Sequence, residues 1–268
     1  MLEFLSLGSG SSGNCYLLRT DDDTLMIDAG IDLRLLRQYF DRYGINADHI
    51  HHLLITHDHI DHVKAIGPVS RACHAEVYAT AKVHHAIESN KRLSEKIDAS
   101  LVRHIEHEHT LQLGDFSVTP FSVPHDSHGN TGYRIACQGT TVGIATDVGH
   151  ATPTIVKHLQ GVEHLVVEAN YDPQMLLRGK YPYFLKQRIT GPDGHLSNSE
   201  AARLIGQCSS VHLRHVWLCH LSEENNHPEV ARNTVEKYIA EQHVALHPQC
   251  TITALSRRKP TGFFEIGP

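Results

Sequence analysis

Short apolar runs alternate with amphipathic segments along the chain, a pattern that predicts strands and helices in alternation. No linker rich in Pro, Gly or Ser interrupts this alternation, so we expect one continuous α/β domain (α+β in some schemes) over residues 1–268. Ten runs of β-branched or apolar residues bounded by turn formers are predicted strands: Glu3 to Leu7, Asn14 to Arg19, Thr24 to Asp28, His52 to Thr56, Glu76 to Thr80, Phe116 to Pro124, Gly132 to Cys137, Thr141 to Asp147, His164 to Ala169 and His215 to His220.

Three predicted helices have clear start or stop signals. Asp32 to Tyr43 has apolar side chains at helical spacing and is followed by Gly44, which suits the left-handed turn after a helix. A capping-box motif, S-x-x-E, begins a helix over Ser197 to about Cys208. A third helix runs from Pro228, a residue favoured in the first turn, to about Ala240.

The composition narrows the class of protein. The first residues lack the basic and apolar pattern of a secretion signal, and no run approaches the roughly eighteen apolar residues of a membrane span. Six scattered cysteines without C-x-x-C spacing indicate reduced thiols, so any metal should be held by nitrogen and oxygen. We expect a cytoplasmic protein without membrane contact. Its net charge of -6 confines any nucleic-acid contact to a local patch.

The segment Thr56 to His62 reads T-H-D-H-I-D-H and directly follows an apolar run. His57 and His59, two positions apart on an extended segment, point the same way and can reach one cation. A bend after them would turn Asp61 and His62 towards a second cation. Although 24 of the 268 residues are histidine, the chance of this spacing arising from composition alone is only roughly 1 per cent.

Five predicted strands end in a histidine or an aspartate. One runs into the His57 loop, and the other four end at Asp28, at His125, at Asp147 and at His220. An aspartate at a single strand end is usually a turn former. Five such ends in one sheet system instead indicate a metal centre at a common sheet edge.

These residues carry a resemblance to a known family. Thr56 to His62, followed in order by His125, Asp147 and His220, resembles the metallo-β-lactamase-fold superfamily over nearly the whole chain. Three further motifs resemble the YycJ/WalJ-like family, bacterial cytoplasmic 5′-to-3′ DNA exonucleases related to the ribonuclease Z group: Ser9 to Asn14, Tyr181 to Asn198 with its Gly194-His195-Leu196-Ser197-Asn198 core, and Leu218 to Ser222 followed by Asn225-Asn226.

The resemblance implies a four-layer αββα sandwich with two divalent metals in a cleft at its edge. It assigns His57, His59 and His125 to the first metal, Asp61, His62 and His220 to the second, and Asp147 to both. Nitrogen and oxygen ligands suit zinc or manganese, with iron as a further possibility, and an anionic bridge offsets the repulsion between two dications ~3.5 to 4 Å apart. Asp28 is expected to orient a ligand histidine.

The metal ligands alone do not define the substrate, because two dications holding a bridging hydroxide can hydrolyse phosphodiesters, lactams or thioesters. Asp61 is expected to act in catalysis as well as in metal binding. Glu168 and His195 resemble the Glu/His pair of the ribonuclease Z group, in which the histidine lies near the leaving-group oxygen. His195 is therefore a candidate general acid, and a loop contact before the Ser197 cap is the alternative.

Two segments are candidates for gripping DNA. In the basic and aromatic stretch from Arg178 to Arg188, Lys180, Lys186 and Arg188 could hold phosphates while aromatic rings stack on bases. An amphipathic helix with its aromatics packed inward explains the same pattern. Backbone N–H groups around Ser11 could approach a phosphate, although a tight hairpin turn also accounts for that loop.

Several histidines outside this set need separate interpretation. His128 competes with His125 as a metal ligand, but His125 directly follows a predicted strand whereas His128 sits in a glycine-containing turn, so His125 is preferred. Substrate contact is an alternative role for His128. The cluster His104, His107 and His109 matches no ligand position of the family and is expected to be a solvated edge or loop.

Three functions remain open at this stage. The first is a nuclease acting on DNA ends. The second is a hydrolase of a small cyclic phosphate, phosphonate-derived compound or thioester, and the third is a metal-binding regulatory protein without turnover. A dimer is compatible with all three.

Overall fold

Two seven-stranded sheets form the centre of the fold in a computed structural model that describes residues 1–267. The first sheet has the order β14-β1-β2-β3-β4-β5-β6, and its strands are β1 (Glu3–Gly8), β2 (Cys15–Arg19), β3 (Thr24–Ile27), β4 (Ile50–Leu54), β5 (Glu76–Ala79), β6 (Val102–His104) and β14 (Phe264–Glu265). The second has the order β13-β12-β11-β10-β9-β8-β7, and its strands are β7 (Leu111–Leu113), β8 (Phe116–Val123), β9 (Asn130–Cys137), β10 (Thr140–Ala145), β11 (His164–Glu168), β12 (His215–Cys219) and β13 (Thr251–Ala254).

The helices lie between the strands in sequence: α1 (Leu33–Tyr43), α2 (Ile60–Val63), α3 (Ile66–Cys73), α4 (Ala81–Ser89), α5 (Pro153–Leu159), α6 (Pro173–Arg178), α7 (Tyr183–Ile189), α8 (Asn198–Cys208) and α9 (Pro228–Glu241). The predicted strands and helices are all present, with ends within two residues of the predicted ones. Four short strands that the sequence did not indicate, β6, β7, β13 and β14, form the edges of the two sheets.

Three apolar layers hold the elements together. Between the two sheets, side chains from both meet, as where the rings of Phe4 on β1 and Trp217 on β12 stack with centroids 4.2 Å apart. A second layer packs the outer face of the first sheet against α1, α3 and α4, and a third packs the second sheet against α5, α8 and α9. The expected four-layer αββα sandwich is therefore confirmed.

The strand directions bring the ligand candidates to one edge. Strands β3, β4 and β5 are parallel, as are β10, β11 and β12, so the carboxyl ends within each set lie together. The sides of the two sheets that hold these carboxyl ends meet where the Thr131 N–H donates to the Thr56 carbonyl over 2.9 Å. At this edge Asp28, Asp147 and His220 have φ of 59°, 55° and 52°, so the chain turns sharply there. Aspartate and histidine adopt this left-handed region more readily than most residues.

Within residues 1–267, no helix combines the length and apolar character needed to cross a membrane.

Candidate metal centre and catalytic cleft

The loop after β4 separates its four ligand candidates into two directions. The chain stays extended to His59, and α2 begins directly after it, which turns Asp61 and His62 away from His57. The loop lies close against the strand-end turn at Gly30, where a Cβ would come within 1.6 Å of the Asp61 carbonyl oxygen. A glycine is needed at position 30 because any larger residue would push away the loop that contains His57 to His62.

One potential metal-binding group consists of His57, His59 and His125, whose ring nitrogens lie within 4.8 Å of one another. The Nδ1 of His125 donates to the Gly194 carbonyl over 3.0 Å, and its Nε2 lies 3.3 Å from His59 Nδ1. The Nδ1 of His57 donates to the Thr56 hydroxyl over 3.0 Å. Its buried Nε2 has no hydrogen-bond partner among residues 1–267, as expected of a nitrogen placed for a cation.

A second potential group consists of Asp61, His62 and His220, again with ligand atoms within 4.8 Å of one another. The buried Asp28 carboxylate accepts the His62 Nδ1 proton over 2.7 Å, which leaves His62 Nε2 facing the group. The Nδ1 of His220 donates to Glu168 over 3.0 Å. Its Nε2 lies 3.5 Å from Asp61 Oδ2 but forms no hydrogen bond within the described chain.

Asp147 lies between the two groups. Its Oδ2 is 3.2 Å from His62 Nε2, and its Oδ1 is 3.8 Å from His125 Nε2. The Thr146 hydroxyl donates to Oδ2 over 2.7 Å and holds the carboxylate in place. One buried carboxylate therefore faces both groups, as a bridging ligand must.

The charges at the centre also suit a cation. Burial lowers the pKa of His57 well below its usual range and lowers that of His125, so both rings are neutral and offer lone pairs. Burial alone would raise the pKa of Asp61, but His62 and His220 bring it to about 2. Burial would likewise raise the pKa of Asp147, which His220 and His62 hold well below its usual range. Burial would lower the pKa of His62 and His220, but the neighbouring carboxylates, Asp147 foremost, raise that of His62 to about 10 and that of His220 well above its usual range. These two rings hold protons that a bound cation would replace, whereas His57 and His125 already offer free lone pairs beside ionised carboxylates, the donor types that a divalent metal uses.

Glu168 connects the centre to the adjacent cleft. Its Oε1 accepts from His195 Nδ1 over 2.7 Å and from His220 Nδ1 over 3.0 Å. Its Oε2 accepts the backbone N–H groups of Val148 and Leu196 over 2.9 and 3.0 Å. Burial would lower the pKa of His195, but the Glu168 carboxylate and its hydrogen bond raise it. The raised pKa favours the protonated His195 ring. Its Nδ1 is bound to Glu168, and its Nε2 takes no part in that hydrogen bond.

The cleft has a volume of about 170 Å³, and its lining includes Ser11, Arg188 and His195 together with Asn170 and Ser222. Three of the residues singled out from the sequence for catalysis or substrate grip therefore share one space. The aspartate beside His125, Asp126, also lines this cleft and pairs with Arg188. Arg188 itself remains more than half exposed.

Lys186 and Lys180, two of the residues expected to hold phosphates, both lie outside the cleft lining. The Lys186 ammonium donates to the carbonyls of Leu177 and Gly179 over 2.8 and 2.7 Å, so it ties the end of α6 to α7. Lys180 is exposed but is not part of the cleft lining.

The inward-packing interpretation of this stretch holds only in part. Tyr181, Leu185 and Ile189 pack with Tyr171 and Leu176 in a small apolar cluster. The rings of Tyr183 and Phe184 instead face solvent.

The remaining histidines lie outside the centre. His128 donates from its backbone N–H and its ring Nδ1 to the Asp58 carboxylate, the latter over 2.8 Å. His104 is exposed on the edge strand β6, and His107 bonds to the Thr131 hydroxyl over 3.0 Å. No potential metal-binding group among residues 1–267 includes His104, His107 or His109.

Sequence reasoning missed three polar residues that organise the site. The Thr56 hydroxyl donates to Asp28 and accepts from His57, and Asn14 Nδ2 lies 2.9 Å from His62 Nε2. Asn170 donates to the His220 carbonyl over 2.8 Å. Each lies within or beside a motif already noted, but only the tertiary contacts reveal its role.

Comparisons with known proteins agree with this geometry. The family model described as β-lactamase superfamily domain matches residues 23–221. The chain is 32% identical to the exodeoxyribonuclease WalJ of Streptococcus pneumoniae serotype 2 over 260 residues, 97% of this chain and 96% of that protein. It is 30% identical to the exodeoxyribonuclease YycJ of Bacillus anthracis over 263 residues, 97% of both chains.

Among solved structures, the metallo-β-lactamase fold protein YhfI from Bacillus subtilis superposes with a TM-score of 0.72 at 16% identity, covering 97% of this chain and 99% of that one. That identity supports the fold alone, whereas the two curated relatives cover nearly the full length at 30% identity or more. The chain therefore belongs to the β-lactamase superfamily, has the metallo-β-lactamase fold, and is a metal-dependent hydrolase of the family that contains WalJ and YycJ.

Proposed function

We propose that this protein is a two-metal exonuclease that releases nucleotides from DNA ends in the 5′-to-3′ direction. The observation that carries the proposal is the Glu168–His195 pair. The pair lies beside the two groups of proposed metal ligands, and its His195 ring lines the cleft. The curated relatives named as exodeoxyribonucleases support DNA as the substrate.

Seven side chains are proposed to hold the metals. The first ion would bind to His57, His59 and His125, the second to Asp61, His62 and His220, and Asp147 would bind both. The orphaned His57 Nε2 and His220 Nε2 support this assignment, since each is the ring nitrogen left over once the other has a partner. The donor set suits zinc or manganese, with iron as a third candidate.

The chain's own residues then divide the chemistry. When bound, the cations lower the pKa of a water molecule and offset charge on the phosphate. Asp61, with a pKa of about 2, is ionised and can accept a hydrogen bond from the attacking water. His195 donates its Nε2 proton to the departing sugar oxygen, and Glu168 stabilises and orients its imidazolium ring.

The cleft suits the end of a polymer better than an enclosed small molecule. Its volume of about 170 Å³ is below the roughly 300 Å³ of typical small-molecule pockets. The Ser11 loop and Arg188 lie at its wall, and Lys180 is exposed close by in sequence. These residues are proposed to contact phosphates outside the metal centre.

The test is a substrate panel with the purified, manganese- or zinc-loaded protein. We expect 5′-labelled DNA to lose its label as mononucleotides, and 3′-labelled DNA to shorten progressively. Release from the 3′ end would overturn the proposed polarity, and preferential cleavage of RNA would overturn the substrate. Hydrolysis of cyclic phosphates or thioesters with intact DNA would favour the small-molecule enzyme. No turnover of any substrate would favour the regulatory protein.

A further inference from the structure

An exposed apolar patch adjoins the segment that walls the cleft. Six large apolar or aromatic side chains are exposed in residues 1–267, and three of them lie within eight positions. These are Leu177, Tyr183 and Phe184, with exposed fractions of 69%, 75% and 72%, and we call them the α7 patch. Single exposed apolar residues are ordinary, but such a group beside a functional site indicates a binding surface.

The helix geometry of α7 places part of this patch at the cleft rim. Leu185, Arg188 and Ile189 all line the cleft from the same helix. Phe184 precedes Arg188 by four residues, one turn, so the two side chains are neighbours on the helix surface. The Tyr183 hydroxyl accepts from Gln187 Nε2 over 3.0 Å, which restrains that ring although it faces solvent.

The charge around the patch indicates what kind of ligand it fits. Residues 173–192 contain four lysines and arginines and no aspartate or glutamate, in a chain whose net charge is -6. Two of these cations, Arg178 and Lys180, are exposed and have no ion-pair partner in the described chain. Flat aromatic rings among cations suit single-stranded nucleic acid, whose bases stack while its phosphates meet the charges.

We propose that Phe184, assisted by Tyr183, is a stacking platform for unpaired bases of the DNA strand whose phosphate enters the cleft. This inference rests on the proposed function for its substrate and adds a preference to it. A base can stack on Phe184 only when it is not paired within a duplex. Frayed or single-stranded ends are therefore the preferred form of substrate.

A double-mutant cycle between protein and DNA tests the platform. The binding partner is a fluorescein-labelled duplex with a short single-stranded 5′ overhang, and the protein carries His195→Ala to slow cleavage during the measurement. Phe184→Ala should weaken binding about 5- to 150-fold. Replacing the overhang bases by abasic sites should weaken binding of the Phe184 protein by a similar factor. Combining both changes should cause no further loss, because the same contact is removed twice.

Two control variants separate stacking from a general surface effect. Phe184→Trp should restore binding, since it keeps a flat ring. Val211→Ala removes another exposed apolar side chain, 56% exposed and outside the cleft lining, and should leave binding unchanged.

The platform and the proposed function can fail separately. Additive losses in the cycle, or a dimer that Phe184→Ala converts to a monomer without changing the DNA affinity, would overturn the platform. A non-additive cycle supports the platform even if the wild-type protein leaves every DNA substrate intact, which would refute only the nuclease activity. Cleavage of DNA together with an additive cycle would leave the nuclease and remove the platform.

Discussion

Asp28 positions two histidines through one buried carboxylate. It accepts a hydrogen bond directly from His62 Nδ1. It also accepts from the Thr56 hydroxyl, which in turn accepts from His57 Nδ1 and so orients that ring. Asp28→Asn keeps the size and tolerates the positive φ but removes the charge and one acceptor. We expect metal affinity to fall about 10- to 100-fold, the usual effect of losing an orienting partner, as measured by competition with a chromogenic chelator.

The matched control for this change is Asp58→Asn. Asp58 lies between His57 and His59 in the loop after β4 but pairs with His128 instead of a proposed ligand. Its metal affinity should stay near that of the wild type. Equal losses in the two variants would show that removing any carboxylate near the proposed ligands lowers the metal affinity, and that the Asp28 contact has no special role.

His195 should matter only where a leaving group needs a proton. His195→Ala is expected to reduce kcat on DNA by ~10²- to 10⁴-fold and to be nearly normal on a p-nitrophenyl phosphodiester, because a phenolate leaves without protonation. Metal content should be unchanged, as elemental analysis can show. Glu168→Gln differs from His195→Ala in one respect. It should also weaken metal binding, since Glu168 also contacts His220. Equal losses of His195→Ala on both substrates would exclude the acid role.

At the scale of elements, the capping box of α8 also supports the loop that carries His195. The Ser197 hydroxyl accepts the Glu200 N–H over 3.2 Å, and Glu200 accepts the Ser197 N–H over 2.9 Å. Ser197→Ala should lower the free energy of unfolding by about 1 kcal/mol, measured in urea, because a helix N-cap is lost. Because His195 lies two residues before this cap, kcat on DNA should fall as well.

Thr152→Ala is the comparison for that prediction. Thr152 caps α5 by accepting the Ile155 N–H over 3.2 Å, and neither residue lines the cleft. The free energy of unfolding should fall by a similar amount while kcat stays constant. A similar fall in kcat for both variants would mean that stability alone, and not the cap beside His195, limits turnover.

How well a strand can be predicted from the sequence depends on how deeply it is buried. The inner strands, such as β10 and β11, are almost entirely buried and therefore appear in the sequence as continuous apolar runs. The edge strands β6 and β14 are three and two residues long and partly exposed, so no apolar pattern marks them.

The same distinction applies to the site. Ligand candidates at strand ends can be located once the strands are recognised. The Lys186 contact with the Gly179 carbonyl and the outward rings on α7 depend on how two short helices pack, and the local sequence is compatible with either orientation.

At the scale of the whole molecule, DNA binding should depend on a local cationic surface against a negative net charge of -6. Lys180→Ala and Arg188→Ala should each weaken binding and flatten the logarithmic salt dependence by about 0.7 to 0.9, the contribution of one phosphate contact. Lys237→Ala on α9 is the control, since Lys237 is exposed near Glu241 and lies outside the cleft lining. An unchanged salt slope in the Lys180 and Arg188 variants would remove both from the DNA surface.

The proposed metal ligands come from both halves of the sandwich. The ends of β3 and β4 supply Asp28 and the His57 loop, while the ends of β8, β10 and β12 supply His125, Asp147 and His220. Neither sheet alone contains a complete site. The proposed two-metal site therefore requires correct packing of the two sheets, and Asp147 is the residue that faces both ligand groups.

The most direct test is the rate of nucleotide release from 5′-labelled DNA as manganese is returned to chelator-treated protein. The wild type should be inactive without metal and should regain full activity at about two metal ions per chain. Asp147→Ala should remain inactive at that metal content. Release that persists in metal-free protein, or an Asp147→Ala variant that recovers at the same stoichiometry and rate, would contradict the two-metal nuclease.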